Sequence, residues 1–148
     1  MEIEYGKANG PELQEIFSMA GVNRSEATRI QADDNKEKMI ASYKDSLEHG
    51  AYFLVARSQE SLAGWVLIDR SLDWFTHKEI GWINDVYVKQ EYRQNGIAKS
   101  LIEQSLVEFK HLGYDDVRLN VFSFNEKAIH LYEKLGFKDV SKLMRIEL

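Results

Sequence analysis

The 148-residue chain contains no cysteine. Disulfides, thiolate-bound metals and a cysteine nucleophile are therefore excluded, and the absence fits a reducing compartment. Long apolar runs are also missing. The longest, AYFLVA at 51–56, is far shorter than the roughly 20 residues a membrane helix needs, and the opening MEIEYGKANG has no apolar core like that of a signal peptide. A cytoplasmic protein with no membrane partner is expected. Nor is there an excess of basic residues. Nineteen Lys and Arg stand against 24 Asp and Glu, a net charge of −5, so a nucleic-acid-binding face is not expected. Repeats, low-complexity segments and linkers are absent, which leaves residues 1–148 as a single domain. What is present is 44% hydrophobic and 29% charged residues, the balance of a globular chain with one core.

Hydrophobic periodicity orders the elements. IEY near the start alternates as a short strand. Pro11, the one proline, suits the first turn of a helix carrying Leu13, Ile16, Phe17 and Ala20, and a second helix carries Met39, Ile40, Tyr43 and Leu47. AYFLVAR and LAGWVLID read as a hairpin turning at SQES, and IGWINDVYV as a third long strand. A helix with the stripe Ile97, Leu101, Ser105, Leu106 and Phe109 follows, then VRLNV as a strand. Asn125 caps a further helix with Ala128, Leu131, Tyr132 and Leu135. The tail, with Met144, Ile146 and Leu148 alternating with charged residues, reads as a last strand. The order β-α-α-β-β-β-α-β-α-β predicts one mixed α/β domain, with a parallel crossover from IGWINDVYV to VRLNV.

The segment EYRQNGIAKSLI at 91–102 sits between a strand and a helix. Such a turn gathers free backbone N–H groups at the positive end of a helix dipole, which suits a phosphate. Gly96 admits a close anion, Ala98 is small, and Arg93 and Lys99 add charge. A plain strand-to-helix turn that needs glycine only for its backbone angle explains the same residues equally well. The segment fits neither the dinucleotide fingerprint nor a P-loop, since it lacks the glycine series of the first and the G-K-[ST] of the second.

Arg93-Gln94-Asn95-Gly96-Ile97-Ala98 matches the R/Q-x-x-G-x-G/A signature of the GNAT superfamily of acetyl-CoA-dependent N-acetyltransferases. NEKAIHLYEKLGF at 125–137 resembles its second signature, N-x-x-A-x-x-x-Y-x-x-x-G-F, and the element order is similar too. The resemblance implies a GNAT fold: a mixed sheet of about six to seven strands flanked by four helices, with a V-shaped splay between the fourth and fifth strands. It implies that the backbone of Val86, Tyr87 and Val88 binds the pantetheine arm of acetyl-CoA as an added strand. Gln94, Asn95, Gly96, Ile97, Ala98 and Lys99, with Arg93 beside them, would hold the pyrophosphate. Asn125 would contact the far side of the pantetheine, and Tyr132 would lie by the sulfur as a proton donor. No metal enters the chemistry, and the family leaves a homodimer open.

The base is harder to assign, because Asn84 and Trp82 stand where many members carry Glu or His. Asp85 is the first candidate, as base or amine anchor, provided that a bulge re-aims it; Glu79, acting through water, is the second. Tyr132 also falls at core spacing, so a purely packed aromatic is its alternative. Trp74 and Phe75, with Asn84 and Asp85, are candidates for the acceptor pocket, and His130 reads as solvated. The expected reaction moves an acetyl group from acetyl-CoA to a primary amine by direct attack in a ternary complex. The acceptor is expected to be a small cationic amine, with a protein or peptide amine, or a non-catalytic acyl-CoA-binding module, as the alternatives.

Overall fold

The computed structural model describes residues 1–23, 26 and 36–148; Asp33 and Asp34, readable as acceptor-side residues or as a helix cap, lie outside them. The strands are β1 (Glu4–Lys7), β2 (Tyr52–Ser58), β3 (Ser61–Leu72), β4 (Glu79–Val88) and β5 (Val117–Arg118). The helices are α1 (Gly10–Ser18), α2 (Lys36–Glu48), α3 (Ile97–His111) and α4 (Glu126–Lys134). Among the described residues the sheet has five strands in the order β1-β2-β3-β4-β5. The first three pairings are antiparallel, and β4–β5, joined through α3, is parallel.

Why these segments fold as they do is visible locally. Asn9 accepts from the Glu12 N–H while Glu12 accepts from the Asn9 N–H, a capping box that starts α1 just before Pro11. The β2–β3 turn takes positive φ at Gln59 and Glu60, as tight hairpins require. Alternation along β2 and β3 then divides the core. Leu54, Ala56, Val66 and Ile68 face one way and pack with Ile83, Val88 and the α3 residues Ile97, Leu101, Ile102 and Phe109; Tyr132 of α4 and Leu135, which caps that helix, close the same side. Phe53, Val55, Trp65 and Leu67 face the other way, against Ile16 and Ala20 at α1 and Tyr43 of α2. The sheet is thus covered on both faces, the architecture expected of an α/β domain.

The expected strand count is not reached. VRLNV pairs only through Val117 and Arg118, and residues 138–148 form no strand. The reason is a shortage of partners. β4 offers a pairing edge to β5 only at Gly81 and Trp82, and the outer edge of β5 has no neighbour among the described residues.

Candidate active site

Asp85 owes its direction to a bulge. Across β3, Ile68 pairs with Ile83 but Leu67 pairs with Asp85, leaving Asn84 as the extra residue. Before the bulge, Gly81 and Ile83 face α3; after it, Val86 and Val88 do. Without it Asp85 would share the α3 side with Ile83. With it the carboxylate faces the α1/α2 layer, where it accepts from Tyr43 Oη at 2.6 Å, from Trp65 Nε1 at 3.0 Å and from Asn23 Nδ2. Asn84 is exposed and donates from Nδ2 to Asp69 at 2.8 Å.

Beyond Trp82 the edge of β4 that faces β5 has no strand partner among the described residues, so Val86, Tyr87 and Val88 pair on one side only, with Val66, Trp65 and Gly64. The phosphate-type turn follows at once. Gln94 and Gly96 take φ of 67° and 73°, and a Cβ on Gly96 would meet nothing within 4 Å. Asn95 Nδ2 donates to the carbonyls of Tyr92 and Arg93, which fixes the loop. None of the backbone N–H groups from Gln94 to Lys99 has an acceptor among the described residues, as befits the first turn of α3. The turn therefore presents a row of N–H donors with open space around its glycine, the arrangement that binds a phosphate.

Arg93 does not join that row. Its Nε donates to the Val88 carbonyl at 2.9 Å, its Nη2 meets Glu26 at 2.6 Å, and its guanidinium lies over the Tyr87 ring. It ties the end of β4 to the turn, and its charge is matched. The cations that remain beside the turn are lysines. Lys99 joins Lys127, His130, Leu131 and Lys134 of α4 around an open cleft of about 470 Å³. Sequence reading passed over Lys127 and Lys134 and read His130 as merely solvated. The seven-residue spacing of Lys127 and Lys134, which sets both on one helical face, was the available signal.

Tyr132 is partly buried, edge-on to Phe137 at 5.7 Å, and its hydroxyl makes no hydrogen bond among the described residues. Burial holds that hydroxyl above the ordinary tyrosine range, and the negative charge of Asp85 adds in the same direction. Asn125 serves as the α4 cap, its Oδ1 accepting from the Ala128 N–H at 3.4 Å, which leaves its amide donors uncommitted to the helix.

Three of the residues read from the sequence stand elsewhere. Glu79 opens β4, six residues and about 20 Å from Asp85. It accepts from Tyr114 Oη at 3.0 Å and pairs with Arg70. Trp74 and Phe75 project from the β3–β4 turn at that same end, each 79% exposed and packed edge-to-face on the other. The turn is shaped by Asp73, which accepts from the amides of Phe75 and Thr76 and from Arg118 of β5. The structure brings together Asp85, the free edge of β4, the turn, the lysines and Tyr132; it does not bring Glu79, Trp74 or Phe75 to them. Among the described residues no cluster of His, Asp and Glu is arranged to hold a metal.

The acetyltransferase (GNAT) family model matches residues 13–137. An N-alpha-acetyltransferase of Saccharolobus solfataricus is 33% identical over 103 residues, covering 65% of this chain and 62% of the relative. A thialysine N-epsilon-acetyltransferase of Sus scrofa is 36% identical over 61 residues, covering 41% of this chain and 36% of the relative. The chain thus spans less than two thirds of either. Among solved structures, a protein from Clostridium acetobutylicum described as a predicted acetyltransferase, solved with acetyl-CoA, superposes with a TM-score of 0.79 at 17% identity. That superposition covers 99% of this chain and 96% of the other, a likeness of fold. The matched span runs from α1 through β4, the N–H-rich turn and α4 with its tyrosine, and the chain belongs to the acetyltransferase (GNAT) family.

Proposed function

We propose that the protein is an acetyl-CoA-dependent N-acetyltransferase acting on a cationic primary amine. One observation carries the reading: among the described residues, the β4 edge at Val86–Val88 has no strand partner and leads directly into a turn whose six N–H groups have no acceptor. An acyl-CoA has the two parts that fit, an extended amide-bearing arm and a pyrophosphate. The arm would add to the β4 edge as a strand does, and the pyrophosphate would take the turn with Lys99. The V-shaped splay is proposed for the gap that opens where β4 and β5 cease to pair.

The transfer requires no metal and no protein nucleophile. The amine nitrogen attacks the thioester carbonyl carbon, a C–N bond forms, the C–S bond breaks and coenzyme A leaves as a thiolate. The proton on the thiolate comes from Tyr132, whose hydroxyl is protonated at neutral pH and makes no hydrogen bond among the described residues. The nitrogen sheds a proton as the amide forms, and that proton, relayed through water, restores Tyr132. An alkyl ammonium, with an ordinary pKa of about 10, must first lose a proton. Asp85 already accepts from Asn23, Tyr43 and Trp65, so its suited task is to hold the ammonium by charge while water carries the proton away. Because Asp85 faces the α1/α2 layer and the turn opens α3 on the other face, the two substrates would approach from opposite sides of the sheet.

A peptide α-amine is the second acceptor class, supported by the N-alpha-acetyltransferase relative. The test is release of coenzyme A from acetyl-CoA, followed with a thiol reagent across polyamines, aminoglycosides, lysine analogues and short peptides. A protein without cysteine adds no thiol of its own. Turnover with one amine class supports the reading and names the acceptor. Tight acetyl-CoA binding with no turnover on any amine would leave a binding module, and no binding would reject the site itself.

A further inference from the structure

The β4 edge proposed for the cofactor is not wholly open. The Lys89 N–H bonds the Ala63 carbonyl at 2.8 Å, so Lys89 turns its backbone toward β3. That direction alternates along an antiparallel ladder. With Gly64 opposite Val88 and Val66 opposite Val86, the N–H and C=O groups of Val86 and Val88 turn outward, to the free edge. Of the groups that face an incoming arm, one is already taken: Arg93 Nε donates to the Val88 carbonyl at 2.9 Å. Two further contacts hold the guanidinium there. Nη2 donates to Glu26 at 2.6 Å, and the central carbon lies 5.3 Å from the centre of the Tyr87 ring. Glu26 is fixed in turn. Its other oxygen accepts from Tyr87 Oη at 3.2 Å, and the Tyr87 ring packs on the fully buried Trp65. Among the described residues the Val86 N–H, the Val86 carbonyl and the Val88 N–H keep no partner.

We infer, on the reading of this edge as the cofactor site, that Arg93, held in place by Glu26, is a positioning residue that sets the register of the acyl-CoA arm. An arm that adds to β4 as a strand bonds the edge in steps of two residues, because only every second residue faces outward. Each step moves the arm about 6.6 Å along the strand. An arm seated on Val86 holds its thioester at one depth in the gap. An arm seated one step nearer the turn needs the Val88 carbonyl, where the Arg93 guanidinium stands. Its thioester would lie outside the reach of about 3 Å from which Tyr132 could protonate the sulfur. Arg93 therefore excludes the unproductive seating. It does so without lending net charge to the phosphates, because Glu26 matches its own. Lysine is no substitute here, since one ammonium head lacks the fixed spacing of Nε and Nη2 that engages Val88 and Glu26 together.

The test follows the acetyl group and needs no acceptor amine. With acetyl-CoA carrying carbon-13 in the acetyl methyl, the parent is expected to show one bound methyl resonance with a nuclear Overhauser contact to the Tyr132 ring. Two variants should each add a second bound resonance that lacks this contact. One is Arg93→Lys; the other joins Arg93→Gln to Glu26→Gln, which leaves the local charge balance unchanged, and the lysine variant serves if the double one does not fold. Acetyl-CoA affinity by calorimetry should be equal or tighter in both, since a second seating adds to the first. A single resonance that keeps its Tyr132 contact in both variants would overturn the inference. So would an Arg93→Lys protein like the parent beside a double variant that binds acetyl-CoA more weakly, which would return Arg93 to the phosphates as a charge. Failure of the parent itself to bind acetyl-CoA would reject the cofactor site, and the register with it.

Discussion

Two side chains divide the proposed chemistry between them. If Tyr132 supplies the proton to the departing thiolate, Tyr132→Phe should lower kcat by about 100-fold or more while acetyl-CoA affinity, measured by calorimetry, stays close to that of the parent. The pH profile gives a second reading. A proton donor must be protonated, and the folded-state pKa of Tyr132 is raised above its ordinary value of 10, so the acid form persists through that pH. The basic limb of kcat/KM assignable to Tyr132 should lie above pH 10 and vanish in the Phe variant. An unchanged kcat would remove Tyr132 from the mechanism. Asp85→Asn should instead act on the acceptor, raising the amine KM about 10-fold at constant acetyl-CoA affinity, because the amide keeps one oxygen for Tyr43 and Trp65 but loses the charge that attracts an ammonium. The phosphate-type turn and the second motif were legible in the sequence because they are local runs of residues. The setting of Asp85 was not. Its direction depends on where β3 and β4 fall out of register, and its donors Asn23 and Tyr43 come from 62 and 42 residues away.

At the level of elements, β3 and β4 approach so closely at Gly64 that a Cβ there would lie 2.5 Å from the Tyr87 carbonyl oxygen and 3.1 Å from the Val88 Cα. These are backbone atoms and cannot rotate aside. Gly64→Ala should destabilise the fold by about 1–3 kcal/mol, read as a lowered Tm, and weaken acetyl-CoA binding by moving the edge at Val86–Val88. A melt and a binding isotherm indistinguishable from the parent would show that β4 yields freely there. α1 is tied to β2 by Glu12, 7% exposed, which accepts from Arg57 Nε and Nη2 at 2.8 Å each. The Arg57 bonds, foremost, hold its carboxyl below the ordinary range. A depressed carboxylate contributes stability above its unfolded pKa, and that contribution is lost as pH falls through the folded value. Glu12→Gln should therefore cost about 3 kcal/mol at neutral pH, a gap to the parent that narrows below about pH 4 in chemical-denaturation curves. The helices were readable from their apolar stripes and caps, Asn9 and Asn125 included. VRLNV and the tail alternate as strands do, yet among the described residues only Val117 and Arg118 pair and 138–148 form no strand, because alternation records a preference and says nothing about whether a partner edge lies within reach.

Over the whole molecule, the net charge of −5 opposes a polyphosphate ligand, and local charge must reverse it. Lys99, Lys127 and Lys134, with His130, line one cleft beside the N–H groups of the α3 turn, which gathers positive charge at the place where the phosphates of coenzyme A would lie. Arg93 contributes little to that field, since Glu26 already neutralises it. Three consequences separate a charge-focused phosphate site from one that relies on N–H donors alone. Affinity for coenzyme A should fall several-fold between low and physiological salt, because exposed charges are screened over about 10 Å at 0.1 M. Lys127→Gln with Lys134→Gln should weaken coenzyme A by about 10-fold and dephospho-coenzyme A by less, since the latter carries less charge into the cleft. Pantetheine, which has no phosphate, should bind parent and double variant alike. Equal losses for all three ligands would mean that the lysines support α4 itself, and no loss for any would leave recognition of the phosphates to the backbone of Gln94–Lys99.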